Sequence, residues 1–376
     1  MKSNFTEEQA LAEANKSKKV KRRINKKKAF AIGIPIFLVS FFIISFIVDW
    51  FIYNSQFTHS DVLDTALYGG YFYTDFADEY DQRIVTFPSG DNKLTGYLYG
   101  EDSNKAIIVV AHGIGGGADS YFAQEKHFID NGYCVFAYDC TGSYMSEGKT
   151  TTGFPQSVLD LHAALTWLEA QDNFNNLPVL LFGHSWGGYA VTNVLNYNHD
   201  IAAVVSVAGV NSAFEIVNNE VVDMMGVFGY TQKPVLNLMQ IIKFGKAATF
   251  TAVNGINKAD IPVLIIHGED DTVVPYKTCS IIAHKDKITN PNVSYITTTG
   301  VHGAHSSLFW SAKSLEYVDA VNEEYAKLYE QYDNDPPYEE RVKFISTVDD
   351  DVMAELNAEL FNSIDSFFEK ALDATK

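Results

Sequence analysis

The amino-acid sequence predicts an α/β fold, in which a mostly parallel central sheet carries helices on both faces. Short apolar segments typical of strands alternate with longer segments typical of helices, and such alternation implies a parallel sheet wrapped on both sides. Two of the strand segments, Ala106–Ala111 and Val179–Phe182, run directly into glycine-rich turns. A small helical cap and one N-terminal transmembrane helix complete the predicted architecture.

The N-terminal part of the chain predicts a transmembrane anchor over residues 29–53. Residues 29–48 carry no charge, and as a helix rising about 1.5 Å per residue they would be about 30 Å long, the thickness of a bilayer's hydrocarbon core. Trp50, Phe51 and Tyr53 follow at the position of an interfacial aromatic belt. A cleaved signal peptide is the main alternative, but its apolar region would be about 7–15 residues long and would end in small residues. This run is longer and ends in bulky residues, which favours a retained anchor.

Charge is distributed unevenly along the chain. Residues 1–28 hold ten Lys or Arg and three Glu, whereas the whole chain of 376 residues has a formal net charge of −19. Because basic segments remain on the cytoplasmic side, this pattern predicts a cytoplasmic tail over residues 1–28, with the remaining chain outside the cytoplasm as part of a single-pass cell-membrane protein. The acidic remainder argues against nucleic acid as a partner, since electrostatic steering would be repulsive.

Between the anchor and the predicted sheet lies an aromatic and acidic stretch, residues 54–80, which we interpret as a linker. A folded domain is predicted over residues 81–376. Two strand segments, Ile84–Phe87 and Leu94–Tyr99, are separated by a turn and predict an antiparallel hairpin that opens the sheet. The stretch of about 211–260 is too long for a simple crossover and predicts a helical cap. A mobile lid and a packed insertion are equally compatible with it.

The segment Gly183–Gly188 is the most informative feature of the chain. It follows the strand Val179–Phe182 and precedes a helical segment, so that Ser185 stands at the apex of a sharp turn. Glycines at positions 183, 187 and 188 remove side chains that would clash in so tight a corner. This is the G-x-S-x-G nucleophile elbow in the strand–turn–helix context that the motif requires, although a glycine-rich turn with a capping serine would share the pattern.

Backbone groups beside Ser185 predict an oxyanion hole. The glycine-rich loop 112–117 after the earlier strand would aim the N–H of Ile114 into the site. Together with the N–H of Trp186, it would bind the negative oxygen of a tetrahedral intermediate. His112 and His184 lie beside these motifs, and we predict that they have structural hydrogen-bonding roles.

Candidate acid and histidine residues follow two later strand segments. The acidic cluster Glu269–Asp271 comes just after Val263–Ile266, and both His302 and His305 follow Val293–Thr297. A serine hydroxyl is a poor nucleophile until a histidine takes its proton, so such partners are required. The order of serine, acid and histidine differs from the orders of the two familiar serine-protease families.

From about Arg83 to Ala371 the chain resembles an α/β-hydrolase. It is most similar to the serine hydrolases grouped with monoglyceride lipases, small bacterial esterases and S33-type aminopeptidases. The segment Phe136–Gly148 resembles that family's D-x-x-G-x-x-x-S-x-G signature, with Thr141 where many members carry arginine.

The resemblance implies the roles of the later residues. Asp271 stands three residues after Gly268, where the family places its acid, with Asp270 and Glu269 as alternatives. His305 lies in a Gly-x-His-Ser segment similar to the family's catalytic loop, and His302 is the alternative.

These observations predict a membrane-anchored serine hydrolase that cleaves acyl esters through a Ser-His-Asp triad and an acyl-enzyme. Its partner would be a small-molecule ester, with lipid and peptide substrates both open. A peptidase or amidase with the same triad is the first alternative, and an aminopeptidase would need acidic cap residues such as Glu215, Glu220 or Asp223. A catalytically idle fold acting as a surface binding module is the second alternative.

No cofactor and no metal are predicted. The sequence contains neither an H-E-x-x-H nor a C-x-x-C spacing, and serine chemistry needs no metal. The three cysteines are expected to be buried apolar residues. Cys134 and Cys140 flank one strand segment and would lie roughly 20 Å apart, farther than the Cα separation of about 7 Å that a disulfide allows.

Overall fold

The computed structural model describes residues 11–12 and 26–374. The described residues up to Val48 belong to one unit, and those from Asp49 onward belong to a second, compact unit. The predicted basic tail, residues 1–28, lies almost entirely outside the described residues.

The helix α1 (Lys26–Gln56) contains the predicted apolar segment. Its part Phe30–Gln56 has a mean hydropathy of 2.7 and is, by length and composition, long and apolar enough to cross a membrane. The helix extends three residues beyond the predicted end at residue 53. No glycine or proline interrupts residues 49–56, so its backbone hydrogen bonding continues.

The described part of the chain forms an eight-stranded sheet with the order β1-β2-β4-β3-β5-β6-β7-β8. The strands are β1 (Gln82–Ser89), β2 (Asn92–Tyr99), β3 (Ile107–Ala111), β4 (Cys134–Tyr138), β5 (Val179–His184), β6 (Ala203–Val207), β7 (Val263–Gly268) and β8 (Val293–Thr298). β1 and β2 form the predicted antiparallel hairpin, and β2 pairs antiparallel with β4. The remaining pairs are parallel, so the predicted mostly parallel sheet is confirmed.

Helices cover both faces of this sheet, as predicted. Within the buried strand β3, Ile107 and Val109 belong to one apolar core, and Ile108 and Val110 belong to a second core on the other face. This alternation follows from the two-residue period of a strand. The helices after α1 are α2 (Phe122–Asp130), α3 (Gln156–Glu169), α4 (Trp186–Asn193), α5 (Ala213–Met225), α6 (Gly229–Phe244), α7 (Ala252–Ala259), α8 (Ala312–Gln331), α9 (Tyr338–Ile345), α10 (Asp350–Met353) and α11 (Ala358–Asp373).

The insertion between β6 and β7 is helical and contains α5, α6 and α7. Ser212 caps the start of α5 by accepting a hydrogen bond from the Glu215 N–H. Gly226 has a φ of 58°, which ends α5 and turns the chain toward α6. A Cβ at Gly229 would lie 2.5 Å from the Val221 carbonyl oxygen, so the close packing of α5 and α6 requires glycine there.

Residues 54–80, interpreted as a linker from the sequence, lie in the same compact unit as the sheet. Tyr73, Phe76 and Tyr80 pack around the ring of Phe122 on α2. The backbone N–H of Tyr73 also donates to the Asp119 carboxylate. Burial of these aromatic rings holds the segment against the domain, a contact that their composition did not indicate. The three cysteines are buried, as expected.

A buried carboxyl on α2 gives a first prediction, for stability. Glu125 is fully buried, and neither of its carboxyl oxygens has a hydrogen-bond partner among the described residues. Burial, and then the nearby Asp119 and Asp139, raise the pKa of Glu125 well above its usual value. We expect Glu125→Met to stabilise the protein at pH 8 by roughly 1–3 kcal/mol, since the apolar side chain of similar length leaves no unpaired polar group.

The pH dependence of this gain provides the check. Above pH about 4.3, Glu125 loses its proton in the unfolded state but keeps it in the folded state. The buried carboxyl therefore lowers the free energy of unfolding progressively as pH rises. The Tm difference between Glu125→Met and wild type should therefore be larger at pH 8 than at pH 4. Glu323→Gln, at an exposed glutamate of α8, is the control. A gain of equal size at both pH values would contradict this account.

Candidate active site

Ser185 lies in a strained turn between β5 and α4. Its φ and ψ are 57° and −114°, a combination rare for residues other than glycine. Its backbone N–H donates to the Val207 carbonyl at 2.8 Å and holds the turn against the end of β6. A Cβ at Gly187 would lie 1.9 Å from the Ala111 carbonyl oxygen, so only glycine allows α4 to start this close to β3. The turn thus has the geometry of the elbow that the motif predicts.

Three side chains from separate loops form one hydrogen-bonded chain. The Ser185 hydroxyl lies 2.9 Å from His305 Nε2, and His305 Nδ1 lies 2.7 Å from Asp271 Oδ2. Asp271 is buried, whereas Glu269 and Asp270 beside it are exposed. The structure therefore brings Asp271, and neither of the two alternative acids, to the histidine.

His302 lies apart from these three hydrogen-bonded side chains. Its Nδ1 is 3.4 Å from the Ser307 carbonyl oxygen, and His302 belongs to a short turn after β8. Of the two candidate histidines, the structure brings His305 to Ser185.

The surroundings of Asp271 favour its charged form. Its Oδ1 accepts the backbone N–H groups of Val273 and Val274, each at 2.9 Å. Burial would raise the pKa of Asp271, but hydrogen bonds from His267, His305 and the Val274 amide outweigh burial and hold the pKa below its usual value. The carboxylate is therefore ionised at neutral pH.

His267, which sequence reasoning missed, is a second partner of that carboxylate. Its Nε2 lies 3.1 Å from Asp271 Oδ2 and 2.9 Å from the Val274 carbonyl, so this nitrogen carries the proton and donates to both. His267 is the penultimate residue of β7 and is fully buried. Its position beside the acidic turn is the only sequence feature that could have indicated this role.

His184 holds the loop that carries His305. The Gly113 N–H donates to the Tyr121 hydroxyl, which in turn donates to His184 Nδ1 at 2.7 Å. His184 Nε2 therefore bears the proton and donates to the His305 carbonyl at 3.0 Å. Burial, and then the neighbouring His305, lower the pKa of His184 to about 3, which keeps the ring neutral. Tyr121 was not predicted from the sequence.

His112 links the glycine-rich loop to β4. Its Nε2 accepts the Cys140 N–H at 2.9 Å, and its Nδ1 donates to the Gly113 carbonyl at 2.7 Å. Burial lowers the pKa of His112 to about 4. The contacts of both His112 and His184 are structural hydrogen bonds.

The residues that carry the two predicted oxyanion donors lie near Ser185. Ile114 lines the same cavity as Ser185, and Trp186 is the first residue of α4, whose backbone N–H has no partner within the helix. A Cβ at Gly113 would lie 3.6 Å from the Ser185 Cβ, so the glycine-rich loop runs beside the serine. The indole Nε1 of Trp186 donates to the Phe154 carbonyl at 2.7 Å.

Thr141, the departure from the family's arginine, joins a buried network around Asp160. Its backbone N–H and its hydroxyl donate to Asp160 at 2.8 and 2.9 Å. Ser89 and Gln156 donate to the same carboxylate. Asp160 thereby holds the loop after β4 without an arginine.

The cavity that contains Ser185 has a volume of about 500 Å³ and is mostly apolar. That volume lies within the range of small-molecule sites. The helix α5 contributes Ile216, Val217, Glu220 and Met224, and Glu220 is the only ionisable carboxylate or amine among the lining residues. A larger cavity of about 640 Å³, between the β1–β2 turn and α3, does not include Ser185. In the part of the chain that the structure describes, no group of His, Cys, Asp and Glu side chains is arranged to hold a metal ion.

The sheet order, the parallel central strands and the serine turn after β5 define an α/β-hydrolase fold. The esterase Pf2001 of Pyrococcus furiosus has the same fold, with a TM-score of 0.51 and 18% identity over 73% of this chain and 98% of that one. The model of a family described as "Serine aminopeptidase, S33" matches residues 102–241. The chain therefore has the fold of the α/β-hydrolases, and its residues 102–241 are similar to the S33 family.

Curated relatives match smaller parts of the chain. It is 30% identical over 132 residues to the quorum-quenching protein AidA of Acinetobacter baumannii. This match covers 32% of this chain and 42% of AidA. It is 24% identical over 224 residues to the lysophosphatidylserine lipase ABHD12 of Danio rerio, 57% of each chain. The matches thus span about half the length of these two relatives.

Proposed function

We propose that the protein is a membrane-anchored serine hydrolase that cleaves carboxylic esters through an acyl-enzyme. The observation that carries this proposal is the hydrogen-bonded chain Ser185–His305–Asp271 at an apolar cavity in an α/β-hydrolase fold. An idle binding module would not need a hydroxyl, an imidazole and an ionised carboxylate in this alignment.

Each residue has a role in the proposed reaction. Ser185 Oγ attacks the acyl carbon while His305 Nε2 accepts its proton, and Asp271 stabilises the imidazolium through Nδ1–H. The backbone N–H groups of Ile114 and Trp186 bind the oxyanion. His305 then protonates the leaving alcohol, and water releases the acyl group from Ser185 by the same steps.

The apolar lining of the cavity supports an ester rather than a peptide as the substrate. Apolar side chains form most of its lining, and this surface suits an acyl chain. The esterase and lipase activities in the names of similar proteins support the same reaction class.

A serine aminopeptidase is the second candidate, favoured by Glu220, a carboxylate in the cavity that could pair with a substrate amine. The other acidic cap residues are engaged elsewhere. Glu215 accepts hydrogen bonds from Asn211 and His284, and Asp223 accepts one from Asn219.

Substrate preference separates the two candidates. Because the cavity is mostly apolar, purified full-length protein should hydrolyse p-nitrophenyl acyl esters and leave aminoacyl anilides intact. Preferential cleavage of the anilides would favour the aminopeptidase.

The membrane anchor is proposed from the apolar part of α1. Its side chains are exposed to an extent unusual for apolar residues; for example, Phe37 is 67% exposed. Apolar surface costs roughly 25 cal/mol per Å² in water, so a helix with apolar side chains on all sides is more stable in a bilayer. The basic residues before it support a cytoplasmic N-terminus.

This proposal predicts how the chain behaves in cells. The full-length protein should sediment with membranes and resist extraction by high salt and by alkali, since it is held by hydrophobic insertion rather than by charge. Protease added outside intact cells should remove the hydrolase domain. A soluble protein with a mature N-terminus near residue 50 would contradict the anchor and indicate a cleaved signal peptide.

A further inference from the structure

The C-terminal end of α1 and the residue after it, residues 49–57, belong to the same compact unit as the sheet. We call this segment the helix end. Tyr53, Gln56 and Phe57 line the cavity that contains Ser185. Tyr53 and Gln56 lie three positions apart and so share one face of the helix, and Phe57 follows directly at its end. Tyr53 is only 4% exposed, whereas Phe51 in the same segment is 72% exposed. The helix end therefore has one face packed into the domain.

Tyr53 is tied to the nucleophile turn through a single residue. Its hydroxyl accepts the Phe154 N–H at 3.2 Å, and the Phe154 carbonyl accepts the Trp186 indole N–H at 2.7 Å. A Cβ at Gly153 would lie 2.4 Å from the Tyr53 hydroxyl oxygen, so this approach requires glycine. The helix end thus holds the loop that borders Ser185.

Lys243, at the end of cap helix α6, fixes the same segment from the other side. Its Nζ donates to Asn54 Oδ1 at 2.6 Å and to the Thr152 carbonyl at 2.7 Å. It also lies 5.1 Å from the centre of the Tyr53 ring, within the range of a cation–π contact. The helix end is held between the cap and the loop before Phe154.

We propose that Tyr53, Gln56 and Phe57 of the helix end form one wall of the acyl-binding site, which selects substrates with an apolar acyl chain longer than acetyl. This inference rests on the proposed ester hydrolysis at Ser185. An acyl chain bonded to Ser185 would extend between Tyr53, Gln56 and Phe57 on one side and Met224 of the cap on the other.

The test uses the full-length protein in detergent micelles and two p-nitrophenyl esters, the acetate and the laurate. Gln56→Trp fills the cavity, and we expect the ratio of kcat/KM for laurate to that for acetate to fall at least about tenfold, the scale on which hydrophobic pockets discriminate chain length. Ser55→Trp places the same side chain at the neighbouring exposed position outside the cavity, and should leave the ratio unchanged.

A second pair of variants distinguishes binding of the acyl chain by Tyr53 from a purely structural role of this residue. Tyr53→Ala should raise KM for laurate more than KM for acetate. Tyr53→Phe keeps the ring in the cavity and should restore most of the laurate KM. A merely structural role would lower kcat for both esters alike.

Acetate turnover and fluorophosphonate labelling of Ser185 test the underlying reaction separately. If the wild type neither labels nor hydrolyses any ester, the proposed function fails and this inference fails with it. If the wild type labels and hydrolyses acetate, but Gln56→Trp and Ser55→Trp give the same laurate-to-acetate ratio, only the inference is overturned.

Discussion

Replacement of Ser185 by alanine should abolish ester hydrolysis, with a loss of turnover on the order of 10⁴-fold or more, as for other triad nucleophiles. Among the hydrogen-bonded side chains of Ser185, His305 and Asp271, only the serine hydroxyl can form the acyl-enzyme. Alanine keeps the Cβ in the strained turn, so the fold should be retained. The measurement is p-nitrophenyl ester turnover, together with fluorophosphonate labelling and thermal unfolding.

Ser294→Ala, at an exposed serine of β8, is the matched control and should leave turnover unchanged. Turnover retained in Ser185→Ala, with background hydrolysis subtracted, would contradict the assignment of the nucleophile.

His305→Ala should match Ser185→Ala in its loss of turnover, while His302→Ala should retain a substantial fraction. His305 Nε2 is 2.9 Å from the serine hydroxyl, whereas the nearest partner found for the His302 ring is the Ser307 carbonyl. Removal of the general base leaves the serine protonated and weakly nucleophilic. Removal of His302 affects only the turn after β8.

The double variant gives a sharper form of this prediction. Triad residues act as a unit, so the double variant Ser185→Ala with His305→Ala should lose little more turnover than either single variant. If His302→Ala proves inactive and His305→Ala active, the assignment of the histidine is wrong, although the nucleophile prediction stands.

The sheet and the serine turn were predictable because local constraints fix them. Strand segments such as Val179–Phe182 have a clear apolar signature, and Gly187 is required by contact with the neighbouring strand. The antiparallel hairpin and the buried central strands follow from the same local rules. These features depend little on contacts that are distant in sequence.

Contacts between segments that lie far apart in the sequence could not be predicted from local patterns. His267 meets the Asp271 carboxylate only because the turn after β7 folds back, and Tyr121 reaches His184 across 63 positions. The helix end is a similar case. Tyr53 follows an apolar segment and reads as an interfacial aromatic residue, yet its ring is buried beside the serine. No local pattern encodes such packing.

The packing of residues 54–80 is another contact of this kind. Composition alone made residues 54–80 a linker, but Tyr73 and Phe76 bury their rings against Phe122. Many aromatic residues in a short stretch indicate apolar surface that needs a partner, and the sequence does not say where that partner lies.

The most direct test of the account is covalent labelling of the full-length protein with a fluorophosphonate, followed by mass spectrometry of its peptides. We expect one adduct, on Ser185, in wild-type protein and in His302→Ala, and strongly reduced labelling in His305→Ala. An adduct on another serine, or no adduct in folded wild-type protein that binds membranes, would contradict the claim that Ser185 is the activated nucleophile of a serine hydrolase.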